Sequence, residues 1–165
     1  MRYHRLLLAA AIAIPTIASA QADPAGMQDM QEMQSYLRVM RANVAAIQFA
    51  PEKERWDANI VLWTIRLENT GTLTAAQLKE MNVALGRVNT NVSRLIEPEE
   101  KERWLANRDL WNTIVNSGGM PAHEAAAFVR ANLAIITANV GRIADADEKE
   151  RWTANLNLWK AFLMM

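Results

Sequence analysis

The chain has 165 residues, 51% of them hydrophobic and 22% charged, with 18 basic against 18 acidic side chains and no cysteine. That is enough chain for one domain with a real core. The absent sulfur excludes a disulfide framework, a thiolate metal site, a cysteine nucleophile and a lipidated N-terminal cysteine.

In chain order the first segment reads as an export leader. Arg2 and Arg5 precede an apolar stretch from Leu6 to Ile17, and Ala18-Ser19-Ala20 supplies the small residues a signal peptidase needs. The expectation is a signal peptide over 1–20 and a periplasmic or secreted product of residues 21–165, because the stretch is too short to remain as a span. Losing Arg2 and Arg5 leaves 16 basic against 18 acidic side chains, a net charge of −2, which argues against a nucleic-acid partner. No later segment is a continuous apolar run of roughly 18 residues, so no membrane span is expected in the mature chain.

The rest of the chain is three copies of one unit. Glu52-Lys53-Glu54-Arg55-Trp56 recurs as Glu100-Lys101-Glu102-Arg103-Trp104 and as Glu148-Lys149-Glu150-Arg151-Trp152, 48 residues apart each time. The match runs on: Ala58, Asn59, Leu62 and Trp63 become Ala106, Asn107, Leu110 and Trp111, then Ala154, Asn155, Leu158 and Trp159. All six tryptophans belong to it, and the units divide the single domain at about 21–68, 69–116 and 117–164, with joints near Asn69-Thr70-Gly71 and Ser117-Gly118-Gly119.

Each unit predicts a long helix followed by a shorter one. Met33, Leu37, Met40, Val44 and Ile47 step by four and three, as do Met81, Leu85, Val88, Val92, Leu95 and Val129, Leu133, Ile136, Val140, Ile143. Such a stripe needs a helix of about 20 residues with one buried face. The second stripe is Trp56, Ile60, Trp63, Leu67; Trp104, Arg108, Trp111, Val115; and Trp152, Leu156, Trp159, Leu163. Asp145 with Glu148 and Thr74 with Gln77 fit capping boxes, Leu73 with Leu78 fits a hydrophobic staple, and Pro51 and Pro98 suit first turns. Asp23-Pro24 and Met120-Pro121 suit the starts of the other two long helices. No segment alternates with period two, so the fold class is all-α: three tandem helical hairpins, six helices, in a short solenoid or a closed bundle.

Folding each hairpin about residues 51, 99 and 147 brings Met40 level with Trp63, Ile47 with Trp56, and Asn43, Asn91 and Asn139 level with Asn59, Asn107 and Asn155. Asparagine has poor helix propensity, so these amides are expected to hydrogen-bond across the hairpin or to a buried carbonyl and fix its register. The Glu-Lys-Glu-Arg runs read as helix-start charges, with Glu pairing to Arg three or four residues on. The tryptophans read as buried area at the hairpin seam in preference to an aromatic ligand slot. Ala45, Ser93 and Gly141 share one small position, which suggests close helix approach, and Ala58, Leu62 and Ile65 with their counterparts form an edge for stacking hairpins.

Enzyme signatures are scarce. His123 has no assignable acid or nucleophile beside it, Ser35, Ser93 and Ser117 lie in no nucleophile elbow, and paired carboxylates such as Glu99 and Glu100 look like helix-start charges. Methionine is the one anomaly that touches chemistry. Met27, Met30 and Met33 stand three apart ahead of Met40, Met164-Met165 end the chain, and thioethers select Cu(I). A Met-x-x-Met helix followed by a hairpin turn with Glu-Arg resembles secreted, methionine-rich metal-resistance proteins over the first long helix and its turn, with asparagine and tryptophan where such proteins carry histidine. That resemblance implies Cu(I) binding as an alternative, whereas methionine as a flexible gap-filler implies core packing with no cofactor. The leading expectation is an exported helical-repeat scaffold without catalytic activity that binds a protein or an apolar ligand.

Overall fold

The structure, a computed structural model, describes residues 24–69, 71–119 and 125–164, and the side chains of all of these except 24–27 and 164. The expected leader, Met120-Pro121 and His123 lie outside them. Among the described residues six helices follow one another: α1 (Pro24–Ala45), α2 (Ala50–Glu68), α3 (Ala75–Val92), α4 (Pro98–Asn116), α5 (Ala126–Val140) and α6 (Ala146–Met164). The starts of α2, α4 and α6 are spaced by the 48-residue repeat.

Local chemistry sets the helix ends. Thr74 accepts from the Gln77 amide at 3.3 Å while the Gln77 side chain accepts from the Thr74 amide at 2.8 Å, the reciprocal box expected from sequence. Leu73 is buried and Leu78 packs against the core, at the two positions of the expected staple. Asp145 accepts from the Glu148 amide at 2.7 Å, but the Glu148 side chain turns to Arg103 and leaves the box half made. Pro51 and Pro98 occupy first-turn positions, where a missing N–H costs nothing. Past the C-terminal ends of α1, α3 and α5 the chain tightens, with Ile47, Leu95 and Ile143 donating to Val44, Val92 and Val140 three residues back. At the α4 joint Gly118 and Gly119 take positive φ, and a side chain on Gly119 would press on Leu73 at 3.1 Å.

The helices close into a ring. α2, α4 and α6 line a central axis, and α1, α3 and α5 fill the outer grooves: α3 packs on α2 and α4, α5 on α4 and α6, and α1 on α6 and α2. The α1–α6 pair is the joint that closes the ring, which distinguishes this closed bundle from the open solenoid that satisfies the same stripes. Each outer helix packs more extensively on the inner helix of the neighbouring repeat than on its own: α3 on α2, α5 on α4, α1 on α6. The expected hairpin is therefore the weaker of its two contacts. Twelve of the fifteen stripe positions on the long helices are buried, and Ile47, Leu95 and Leu133 are partly so. Ala58, Leu62 and Ile65 are buried as well, so the inner helices are covered on their flanks as well as along the axis. Ala45, Ser93 and Gly141 are exposed at helix ends, contrary to the close approach expected; they mark where the outer helices stop.

Candidate functional site

The motif residues assemble at the axis as layers. Trp56, Asn59 and Trp63 are spaced by three and four, which puts them on one seam of α2, and their counterparts do the same on α4 and α6. Trp56, Trp104 and Trp152 meet edge to face with ring centroids 4.8, 4.9 and 5.0 Å apart. One level down, Trp63, Trp111 and Trp159 repeat the arrangement at 4.6–4.7 Å. All six are at most 1% exposed. Each removes roughly 200 Å² from water, on the order of 5 kcal/mol as an upper figure. Because the rings fill the axis against one another, there is no slot between them for an aromatic ligand. Their partners are tryptophans of the other repeats, across the axis, instead of the hairpin-seam positions expected.

Between the tryptophan layers lies a closed ring of amides. Asn59 donates to Asn155, Asn155 to Asn107 and Asn107 to Asn59, at 3.0, 2.9 and 3.0 Å. Each side-chain oxygen also accepts an indole N–H: Trp63 donates to Asn155, Trp111 to Asn59 and Trp159 to Asn107, at 2.8–2.9 Å. Both lone pairs of every oxygen are thereby used. These asparagines do hydrogen-bond, but to one another across the axis, in place of the bonds across the hairpin or to a buried carbonyl that were expected. Asn43 and Asn139 do not meet Asn59 and Asn155; they donate to Glu150 and Glu102 at 2.8 Å, while Asn91 donates to the Arg87 carbonyl.

Above the upper tryptophan layer, where the inner helices begin, sits a ring of charge. Arg55 pairs with Glu100, Arg103 with Glu148 at 2.6 Å and Arg151 with Glu52 at 2.8 Å. Each arginine thus reaches the next inner helix, in place of the same-helix pairing expected. Each guanidinium also lies over that helix's tryptophan, 5.2–5.9 Å from Trp104, Trp152 and Trp56. Burial lowers the Arg55 pKa despite the carboxylates around it, and burial raises that of Glu100, with Arg55 opposing the shift. At the other end the symmetry breaks: the next seam position holds Arg66, Ile114 and Phe162, with the Arg66 guanidinium 4.9 Å from the Phe162 ring centroid.

The charged end also carries two of the large apolar side chains that the ring leaves exposed; among the described residues the other two, Val83 and Phe128, stand on α3 and α5. Phe49 is 65% and Ile96 89% exposed, in the turns before α2 and α4. On the same end a groove of about 620 Å³ is lined by Glu97, Glu99, Arg103, Arg142, Ala144 and Asp145, among others. Shifted by one repeat, Glu97 becomes Phe49 and Ala144 becomes Ile96, so the two apolar side chains occupy the positions equivalent to two lining residues of this groove. Their exposure is not legible in a single stripe. The available signal was a comparison of repeats, in which Phe49 replaces Glu97 and Asp145, and Ile96 replaces Gln48 and Ala144.

The remaining candidates are dispersed. Met33 is fully buried in the core with Met40, Met30 packs against its edge, and the Met27 side chain lies outside the described residues. Among the described residues no group of three or more histidines, cysteines or carboxylates is placed to hold a metal ion. Ser35, Ser93 and Ser117 donate to carbonyls three or four residues back on their own helices. Glu99 accepts from Arg142 at 3.3 Å, so the adjacent Glu99 and Glu100 serve different arginines. Among the described residues no helix is long and apolar enough to cross a membrane. Comparison with protein-family models, with curated proteins and with solved structures finds no match for this chain.

Proposed function

We propose that the protein is an exported, non-catalytic binding scaffold whose recognition face is the end of the bundle where α2, α4 and α6 begin. The observation that carries this reading is the exposure of Phe49 and Ile96 in the turns at that end, the two most exposed of the large apolar side chains among the described residues. A large apolar side chain held in water is a cost the fold does not require, since repeat-equivalent positions hold Glu97, Asp145, Gln48 and Ala144. Half-buried Ile47 and Leu95 extend the patch, and the mixed charges around it supply a polar rim of the kind protein interfaces use.

The test is photo-crosslinking from positions 49 and 96 in the compartment to which the chain is exported, with Val83, exposed on α3, as the control position. Defined crosslinked bands are expected from 49 and 96 and not from 83. Phe49→Asp with Ile96→Gln, which installs what the other repeats carry, should abolish them without lowering the melting temperature. Equal labelling from all three positions would remove the reading. Native mass spectrometry of the same material, with Cu(I) added, would show whether metal is retained through Met27, Met30 and Met33 instead.

A further inference from the structure

We propose that the groove between α6 and α2 that seats α1 also accepts α1 from a second copy of this chain, so that two copies close each other's rings by exchanging their first helices. Covalent order sets α1 apart from the other outer helices. α3 and α5 are tied to an inner helix at both ends, whereas among the described residues α1 is tied to an inner helix through Ala46–Phe49 at its C-terminal end alone. Yet α1 packs more extensively on α6, the far end of the chain, than on α2 beside it. The ring is thus closed by a contact that no short connection enforces.

The chemistry of that contact carries no mark of which chain supplies it. α1 gives the seat Met33, Leu37, Met40 and Val44, all at most 1% exposed, with Arg41 donating to Thr64 at 2.7 Å and Asn43 to Glu150 at 2.8 Å. It gives nothing to the axis: the tryptophan layers, the amide ring and the arginine–glutamate ring lie wholly on α2, α4 and α6. Withdrawing α1 therefore leaves the axis intact and opens an apolar groove whose complement is the withdrawn helix. Reciprocal insertion restores every bond in both copies and changes only the turn, the condition under which element exchange costs little. Pro51, in the first turn of α2, keeps α1 and α2 from merging into one helix, so the turn stays a separate hinge in the exchanged form.

The test uses the full chain, whose lack of cysteine makes introduced thiols unambiguous. Asn43→Cys on one copy and Glu150→Cys on another are mixed, unfolded, refolded together and treated with a short thiol-to-thiol crosslinker. A two-chain product is expected, rising about tenfold for a tenfold rise in refolding concentration while the concentration stays below the roughly millimolar effective concentration of a short linker. Val83→Cys, on α3, mixed with Glu150→Cys sets the background. One copy carrying both Asn43→Cys and Glu150→Cys must crosslink internally, which establishes that the positions are within reach. Two-chain product no higher than the Val83→Cys background at every concentration, with that internal crosslink present, overturns the proposal. Deleting Gln48 and Phe49 gives a second readout: the shortened turn cannot reverse α1 onto its own ring, so light scattering should report a dimer of unchanged helical content, and a folded monomer would overturn the proposal.

Discussion

Asn107 shows how much one side chain settles here. In an exposed helix it would be a modest liability of propensity. At the axis its oxygen accepts from Asn155 and Trp159 while its nitrogen donates to Asn59, so it serves both other repeats at once. Asn107→Ala removes the acceptor and leaves two buried donors unmet, each costing about 1–3 kcal/mol, and a loss on the order of 3–5 kcal/mol is expected. Trp159→Phe removes one donor and also opens a cavity in a close-packed layer, so its loss, on the order of 2–4 kcal/mol, combines both. Urea unfolding of the two variants measures both losses. An Asn107→Leu protein more stable than the parent and equally cooperative would show that the ring does not hold the register. The asparagines were legible as an oddity, since a mid-helix amide kept in three copies needs a reason. Their partners were not legible, because pairing by height within one hairpin and pairing across an axis predict the same spacing along the chain.

At the scale of elements, the three inner helices share a motif but start differently. α6 begins at Asp145, whose side chain bonds the Glu148 amide; α2 begins at Phe49, which has no side-chain oxygen and makes no cap. The backbone of Phe49, at φ −78° and ψ 107°, already has the extended geometry that a cap residue needs. Phe49→Asp should therefore bond the Glu52 amide and stabilise α2 by about 1 kcal/mol. A melting temperature higher by roughly 3 °C is expected from calorimetry. The same change removes the exposed ring from the proposed recognition face, so stability should rise as crosslinking falls, the trade-off expected where a position is kept for binding. A melting temperature that falls would mean that Phe49 packs in solution and is not held out for a partner. Helix number, period and most ends were readable because caps, staples and stripes are local. The pairing of the outer helices was not, since each stripe fits either neighbouring inner helix.

For the whole molecule, open and closed arrangements of three repeats differ in what the end repeats must face. An open stack puts the first and last repeats against water and selects polar outer faces there. Here the first and third copies keep the same tryptophans, asparagine and arginine as the middle one, which is the sequence signature of a ring that has no end repeats. Closure then creates an inequality that the repeats themselves lack: α4 is held by the axis layers and by covalent neighbours on both sides, while α1 is held by its seat and one turn. Undocking α1 exposes four of its core side chains and breaks three side-chain bonds, those of Arg41 to Thr64, Asn43 to Glu150 and Lys53 to the Val44 carbonyl, while leaving every axis contact in place. Local opening that spares the rest of the core costs less than global unfolding and exposes less surface. Native-state hydrogen exchange should accordingly give α1 amides an opening free energy below that of α2, α4 and α6 by more than about 2 kcal/mol, with a weaker dependence on denaturant. α3, tied at both ends, should exchange with the inner helices. Identical opening energies for α1 and α4, with equal denaturant slopes, would mean that the ring opens only as a whole and that its closing helix is as fixed as its axis.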